Sequence, residues 1–224
     1  MFSREKFLKL FFYGGVSILV LIAIAMFTPK SEPTFPPLES FGSQLDPARR
    51  QVLLDRIKQY QDKASANPTD ADPWLQMGIN QTELGALPWA IKSYQKAGEL
   101  APGSFLSFYN LGELYVRTGQ YDKAEIAYAT AIKADPVRTN LYRPLVQLYQ
   151  QYLPEKKEKI PQLLNAGLAL TENSNSVELL SLLGSYYVSV GDRENSIKAY
   201  ERLAEIFPNN SAAKEQLDKL KAQQ

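Results

Sequence analysis

Residues 105–138 read FLSFYNLGELYVRTGQYDKAEIAYATAIKADPVR, and the fold turns on this stretch. Phe108, Leu111, Leu114 and Tyr115 recur at spacings of three and four, which puts them on one face of an amphipathic helix. Thr118-Gly119 stops that helix, because glycine leaves a helix C-terminus at little cost. Ala124, Ala127, Tyr128, Ala131 and Ile132 form the stripe of a second helix. Asp135-Pro136 ends it, since the residue before proline avoids the α region. Gly112 and Ala124 are small enough to let the two helices approach closely. The stretch predicts an antiparallel helix pair.

The same pattern recurs along the chain. Trp74, Phe108 and Tyr142 lie 34 residues apart, as do Pro68, Pro102 and Pro136. Gly78 and Gly112, Gly85 and Gly119, Ala90 and Ala124, Tyr94 and Tyr128, and Ala97 and Ala131 keep that step. A step of 72 carries the set on to Gly184, Gly191, Tyr200 and Pro208, which is two periods with four inserted residues. Repetition at so many positions marks a stack of like units.

Trp74-x-x-Met77-Gly78, Gly85, Ala90, Tyr94, Ala97 and Pro102, followed by Phe108-x-x-Leu111-Gly112-x-x-Tyr115, Gly119, Ala124, Tyr128, Ala131 and Pro136, resemble the tetratricopeptide repeat family. The resemblance divides the body into a half-repeat over 46–70, units over 71–104, 105–138, 139–176 and 177–210, and a polar capping helix over 211–224. The third unit departs from the pattern. Val146 takes the place of the small residue, Pro144 interrupts the first helix, and a four-residue excess around Leu153 to Lys157 lengthens the turn. The family likeness implies an all-α, right-handed α-solenoid whose first helices line a concave groove for a protein or peptide partner. On that geometry Leu75, Ile79, Leu106 and Tyr109 form an apolar floor, with Asn110, Arg117 and Arg143 as polar anchors. Helix 46–66 folding over this floor, or a homo-oligomer burying it, is the competing reading. Chaperone-binding members of the family clamp a C-terminal carboxylate with Lys, Asn and Arg. Asn110 fits that set, but Leu75, Ile79, Asn140 and Pro144 do not.

Outward from the repeats, Pro29, Pro33, Pro36 and Pro37 with several serines make 29–45 read as an extended linker. Leu10 to Pro29 carries no charge, and at about 1.5 Å per residue a helix of that length covers roughly 30 Å of bilayer. The sequence therefore predicts a single N-terminal transmembrane helix over 10–28. Arg4, Lys6 and Lys9 precede it, so 1–9 is expected in the cytoplasm and the repeats outside it, at an inner membrane of bacterial type. Ala23-Ile24-Ala25 also has the form of a signal-peptidase site, which would give a secreted protein instead.

The chain has 25 Lys and Arg against 24 Asp and Glu, no cysteine and no histidine. Disulfides, thiolate chemistry, His-based triads and His-ligated metals are excluded within it. No cofactor is expected. With most of the excess basic charge at the N-terminus, the body is slightly acidic, which argues against a nucleic-acid partner. A binding scaffold is the leading reading and an enzyme is not expected; a carboxylate-based hydrolase and a self-associating scaffold stand as rivals. Glu155 to Lys159 reads as a solvated charged loop.

Overall fold

In a computed structural model the described residues are 35–171 and 176–222. The transmembrane segment expected over 10–28 lies outside them. Among the described residues no helix is long and apolar enough to cross a membrane.

Ten α-helices follow one another, with no strand among the described residues: α1 (Pro47–Ala66), α2 (Asp72–Leu84), α3 (Leu87–Leu100), α4 (Phe105–Arg117), α5 (Tyr121–Ala134), α6 (Tyr142–Gln151), α7 (Ile160–Leu170), α8 (Val177–Ser189), α9 (Arg193–Ile206) and α10 (Ser211–Ala222). The helices pair as the repeat requires, α2 with α3, α4 with α5, α6 with α7 and α8 with α9. α1 takes the place of a lone second helix. It starts sharply because the Asp46 carboxylate accepts from the Ala48 and Arg49 N–H groups at 3.0 and 3.1 Å, with Pro47 fixing the first turn.

Close approach within each pair depends on a glycine under a tyrosine ring. A Cβ added at Gly78 would lie 2.5 Å from the Tyr94 ring, and one at Gly184 would lie 2.8 Å from Tyr200. Gly112 faces Tyr128 in the same way. The chain leaves α2 through Gly85 at φ +82°, a left-handed conformation that glycine adopts without steric cost.

The third unit solves the same packing problem with its partners exchanged. Val146 cannot sit under a ring, so the glycine comes from the second helix and the tyrosine from the first. A Cβ on Gly167 would meet Tyr142 at 2.8 Å, and the Tyr142 hydroxyl donates to the Pro136 carbonyl at 2.8 Å. Pro144 does not interrupt α6. A short 3-10 turn, Thr139–Leu141, precedes it, and α6 begins late enough to hold Pro144 in its first turn, where no N–H is missed.

Two stretches expected to be loose are folded. The expectation of an extended linker over 29–45 fails for its last part. Leu38–Ser40 form a 3-10 turn, and Leu38, Phe41 and Leu45 pack on the cluster of Leu53, Ile57, Leu84 and Ala86. Arg50 holds this segment by donating to the Phe41 carbonyl at 2.8 Å and to the Glu39 carbonyl. The charged run is a 3-10 turn, Pro154–Lys159, docked on α5. Lys156 donates to Glu125 at 2.6 Å and to Asp122 at 3.0 Å, and Tyr152 stacks on Tyr121 with centroids 4.5 Å apart.

Candidate functional site

The first helices α2, α4, α6 and α8 repeat a pattern of burial. In α2 the stripe Asp72, Leu75, Gln76, Ile79 and Glu83 is left wholly or partly exposed, while Met77, Gly78, Asn80, Gln81 and Leu84 are buried. In α4 the equivalent stripe is Leu106, Tyr109, Asn110, Glu113 and Arg117. In α6 it runs through Arg143 and Gln147. All seven residues expected to form the site, Leu75, Ile79, Leu106, Tyr109, Asn110, Arg117 and Arg143, therefore lie on the same register face of the first helices. That follows from a helical period near 3.6 combined with a 34-residue repeat, which returns each position to the same side.

Their chemistry differs from one to the next. Ile79 and Leu106 are 39% and 36% exposed, a large open fraction for branched apolar side chains. Leu75 and Tyr109 are half-buried against the main core. The Tyr109 ring meets Tyr128 edge-on with centroids 6.1 Å apart. Burial, with the Glu113 carboxylate adding to it, pushes the Tyr109 hydroxyl up from its ordinary pKa. Tyr128 is raised by burial and by donating to Glu113 at 2.6 Å, so both phenols stay protonated at neutral pH. Tyr109 is thus as much a packing residue as a surface one.

Charges on this face are mostly matched within the protein. Glu83 pairs with Arg49 of α1. Arg143 donates from Nε to Glu178 at 2.9 Å, linking α6 to α8. Arg143 is therefore not the open anchor that its position suggests, since an incoming acid would have to displace Glu178. Arg117, exposed at the end of α4, has no acidic partner among the described residues. α1 does not fold over the apolar residues. It packs through Leu53 and Ile57 against Leu84, Ala86 and Trp89 and leaves Ile79 open.

What sequence reasoning missed lies on the side of the second helices. There the pairs leave clefts, one of about 610 Å³ floored by Phe108 and Leu111 beside Ile126. The signal was present in the repeat itself, because Trp89 stands where the next unit has Lys123. Among the described residues no group of three or more Asp, Glu, His or Cys is placed to hold a metal ion.

Stacked helix pairs with an open first-helix face define an α-solenoid. The tetratricopeptide repeat model matches residues 106–138 and 177–210, so these two segments are tetratricopeptide repeats. Hsp70-Hsp90 organizing protein 3 of Arabidopsis thaliana is 30% identical over 88 residues, which are 39% of this chain and 16% of that protein. The formate-dependent nitrite reductase complex bifunctional subunit NrfFG of Haemophilus influenzae is 32% identical over 96 residues, 42% of this chain and 24% of that protein. The chain thus spans less than a quarter of the length of these relatives. Among solved structures, MamA protein superposes with a TM-score of 0.54 at 19% identity, over 78% of this chain and 92% of that one. YrrB, described as a TPR protein with an unusual peptide-binding site, gives 0.51 at 21% identity, over 73% and 82%. These likenesses establish the helical repeat fold.

Proposed function

We infer that the chain is a non-enzymatic tetratricopeptide scaffold that holds a protein partner along the first-helix face of its N-terminal two units. The observation that supports this reading is the cluster of Ile79, Leu106, Leu75 and Tyr109, apolar side chains left open on a face where solvation would favour polar ones. Arg117 supplies a cation on the same face with no acidic partner among the described residues. The partner segment this suits carries apolar side chains with an acidic group next to them. A terminal-carboxylate clamp is not part of the proposal, because Leu75 and Ile79 stand where its cation and amide would be and Arg143 is engaged by Glu178.

The uncharged stretch over 10–28, with basic residues before it, supports a membrane anchor that keeps the repeats on the extracytoplasmic side. In that setting the scaffold serves assembly of an envelope or membrane complex. The test is co-purification with native partners from cells expressing the full chain, comparing wild type with Ile79→Lys/Leu106→Lys. Both side chains are open enough for lysine to reach solvent, so the fold should survive. Loss of at least tenfold in a specific partner supports the reading; unchanged capture by a folded double variant refutes it.

A further inference from the structure

The clefts on the second-helix side are built from equivalent positions, so each serves as a control for the others. The middle cleft uses Phe108, Leu111, Tyr115, Lys123 and Ile126. The N-terminal one, about 400 Å³, has Trp74, Met77, Gln81, Trp89 and Lys92 at the positions 34 residues earlier. A smaller cleft of about 170 Å³ has Leu180, Leu183, Tyr187, Asn195 and Lys198 at the positions 72 residues later. What all three share is what packing of the pairs demands; what one alone has calls for another explanation.

The N-terminal cleft departs from the others in one direction. Trp89 replaces Lys123 and Asn195, and Ser65 stands where the middle cleft has Glu99. At these two positions an aromatic and a neutral side chain stand where the middle cleft has charged ones, while Lys92 keeps a cation where the middle cleft has Ile126 and the smaller one has Lys198. It gathers both tryptophans of the chain, and Leu38 of the folded pre-helix segment closes one side. The Trp74 Nε1–H is buried with no hydrogen-bond partner among the described residues. Neighbouring Gln81 cannot serve it as an unengaged acceptor, since its Oε1 already accepts from Ser93 at 2.7 Å.

We propose that this cleft is a second binding site, one that takes a single large apolar side chain of a protein partner together with the adjacent main-chain carbonyl. The volume lies within the range of ligand pockets and is too small for a folded element. The walls of Trp74, Met77 and Trp89 match an aliphatic or aromatic side chain. The unpaired indole N–H calls for an acceptor, because a buried donor without a partner is a standing cost that the ligand relieves. A neutral carbonyl suits it better than a carboxylate, whose charge would be desolvated among the tryptophans. A peptide carries that pairing, apolar side chain and carbonyl a fixed distance apart. The site is separate from the first-helix face, and neither depends on the other.

Because both tryptophans line the cleft, intrinsic fluorescence of the full chain reports on it directly. Titration with N-acetyl-L-phenylalaninamide should give a saturable change in emission. Acetyl-Gly-Phe-Gly-amide should bind at least as well, and toluene, which lacks an acceptor, at least fivefold more weakly. Trp74→Phe keeps the ring and removes the N–H, so it should weaken the amide about tenfold and leave toluene unchanged. Trp89→Lys, which installs the residue of the middle cleft, should abolish both. Should that variant fail to fold by circular dichroism, Trp74→Phe decides alone. No saturable change with wild type, or amide binding untouched by Trp74→Phe, overturns the proposal. Binding of the single capped residue but not of the flanked peptide also overturns it, in favour of a free small molecule.

Discussion

Replacing Gly167 by alanine tests the exchanged packing of the third unit. In a helix interior the substitution should stabilise, since alanine exceeds glycine by about 1 kcal/mol in helix propensity. Against this, the new Cβ would lie 2.8 Å from Tyr142 Cε1 and Cζ and 2.9 Å from its hydroxyl oxygen, where ordinary contact needs about 3.5 to 4 Å. The ring cannot swing away cheaply. Tyr142 is among the most fully buried side chains, and its hydroxyl is tied to the Pro136 carbonyl. Overpacking of this kind costs about 1–3 kcal/mol, and loss of the tyrosine hydrogen bond about 1 kcal/mol more. The clash should win, leaving a net destabilisation of about 1–3 kcal/mol, or roughly 2–12 °C in Tm for a domain of this size. Urea unfolding followed by far-UV circular dichroism measures it. Gly103→Ala is the control, because nothing lies within 4 Å of a Cβ there. If Gly167→Ala raises the midpoint by its propensity gain, the tyrosine does not sit where it is described and the account of the third unit is wrong.

Three further outcomes are expected. Burial opposes the charge of Glu125, yet hydrogen bonds from Lys156 and Tyr149 and the charges of Lys156 and Lys159 hold its carboxyl below the ordinary value. A depressed folded pKa means that its contribution is full above the ordinary carboxylate value and is lost as pH falls through the folded one. Glu125→Gln should therefore cost about 1–3 kcal/mol at pH 7 and flatten the loss of stability on acidification below about pH 5, read from urea midpoints. Tyr109→Ala should lower stability by roughly 1–2 kcal/mol through lost packing on Tyr128, while Ile79→Ala should stay within about 0.5 kcal/mol, as thermal melts will show. A single cysteine at Gln224, in a chain with no other thiol, should react with a membrane-impermeant maleimide on intact spheroplasts; labelling only after lysis would reverse the inferred topology.

Much of this architecture is written in the sequence because a helical repeat imposes two periods at once. A residue such as Gly112 is constrained by the helix it sits in and by its counterpart one unit away, so position and role can be read together. The third unit hid its solution for the same reason. Register points to Val146, whereas the working glycine, Gly167, sits on the other helix and out of phase. The 3-10 turns at Leu38–Ser40 and Pro154–Lys159 were not legible, since they are held by tertiary contacts from Arg50 and to Glu125 rather than by any local period. For the site, the shared face of Leu75, Ile79, Leu106 and Tyr109 was an implication of the resemblance to the tetratricopeptide repeat pattern rather than of spacing alone. The pairing of Arg143 with Glu178 was not legible, because it bridges units across the four-residue insertion that breaks the register.

Whether the first-helix face holds the partner is tested most directly by a photo-crosslinking amino acid placed at one position at a time in the full chain, in living cells. Positions 79 and 106 on that face are compared with position 126, where Ile126 is 67% exposed on the second-helix side. The account predicts that 79 and 106 trap the same protein and that Arg117→Glu, introduced alongside either of them, abolishes that product. A partner trapped from 126 alone, or products at 79 and 106 that persist with Arg117→Glu in a folded chain, would contradict it.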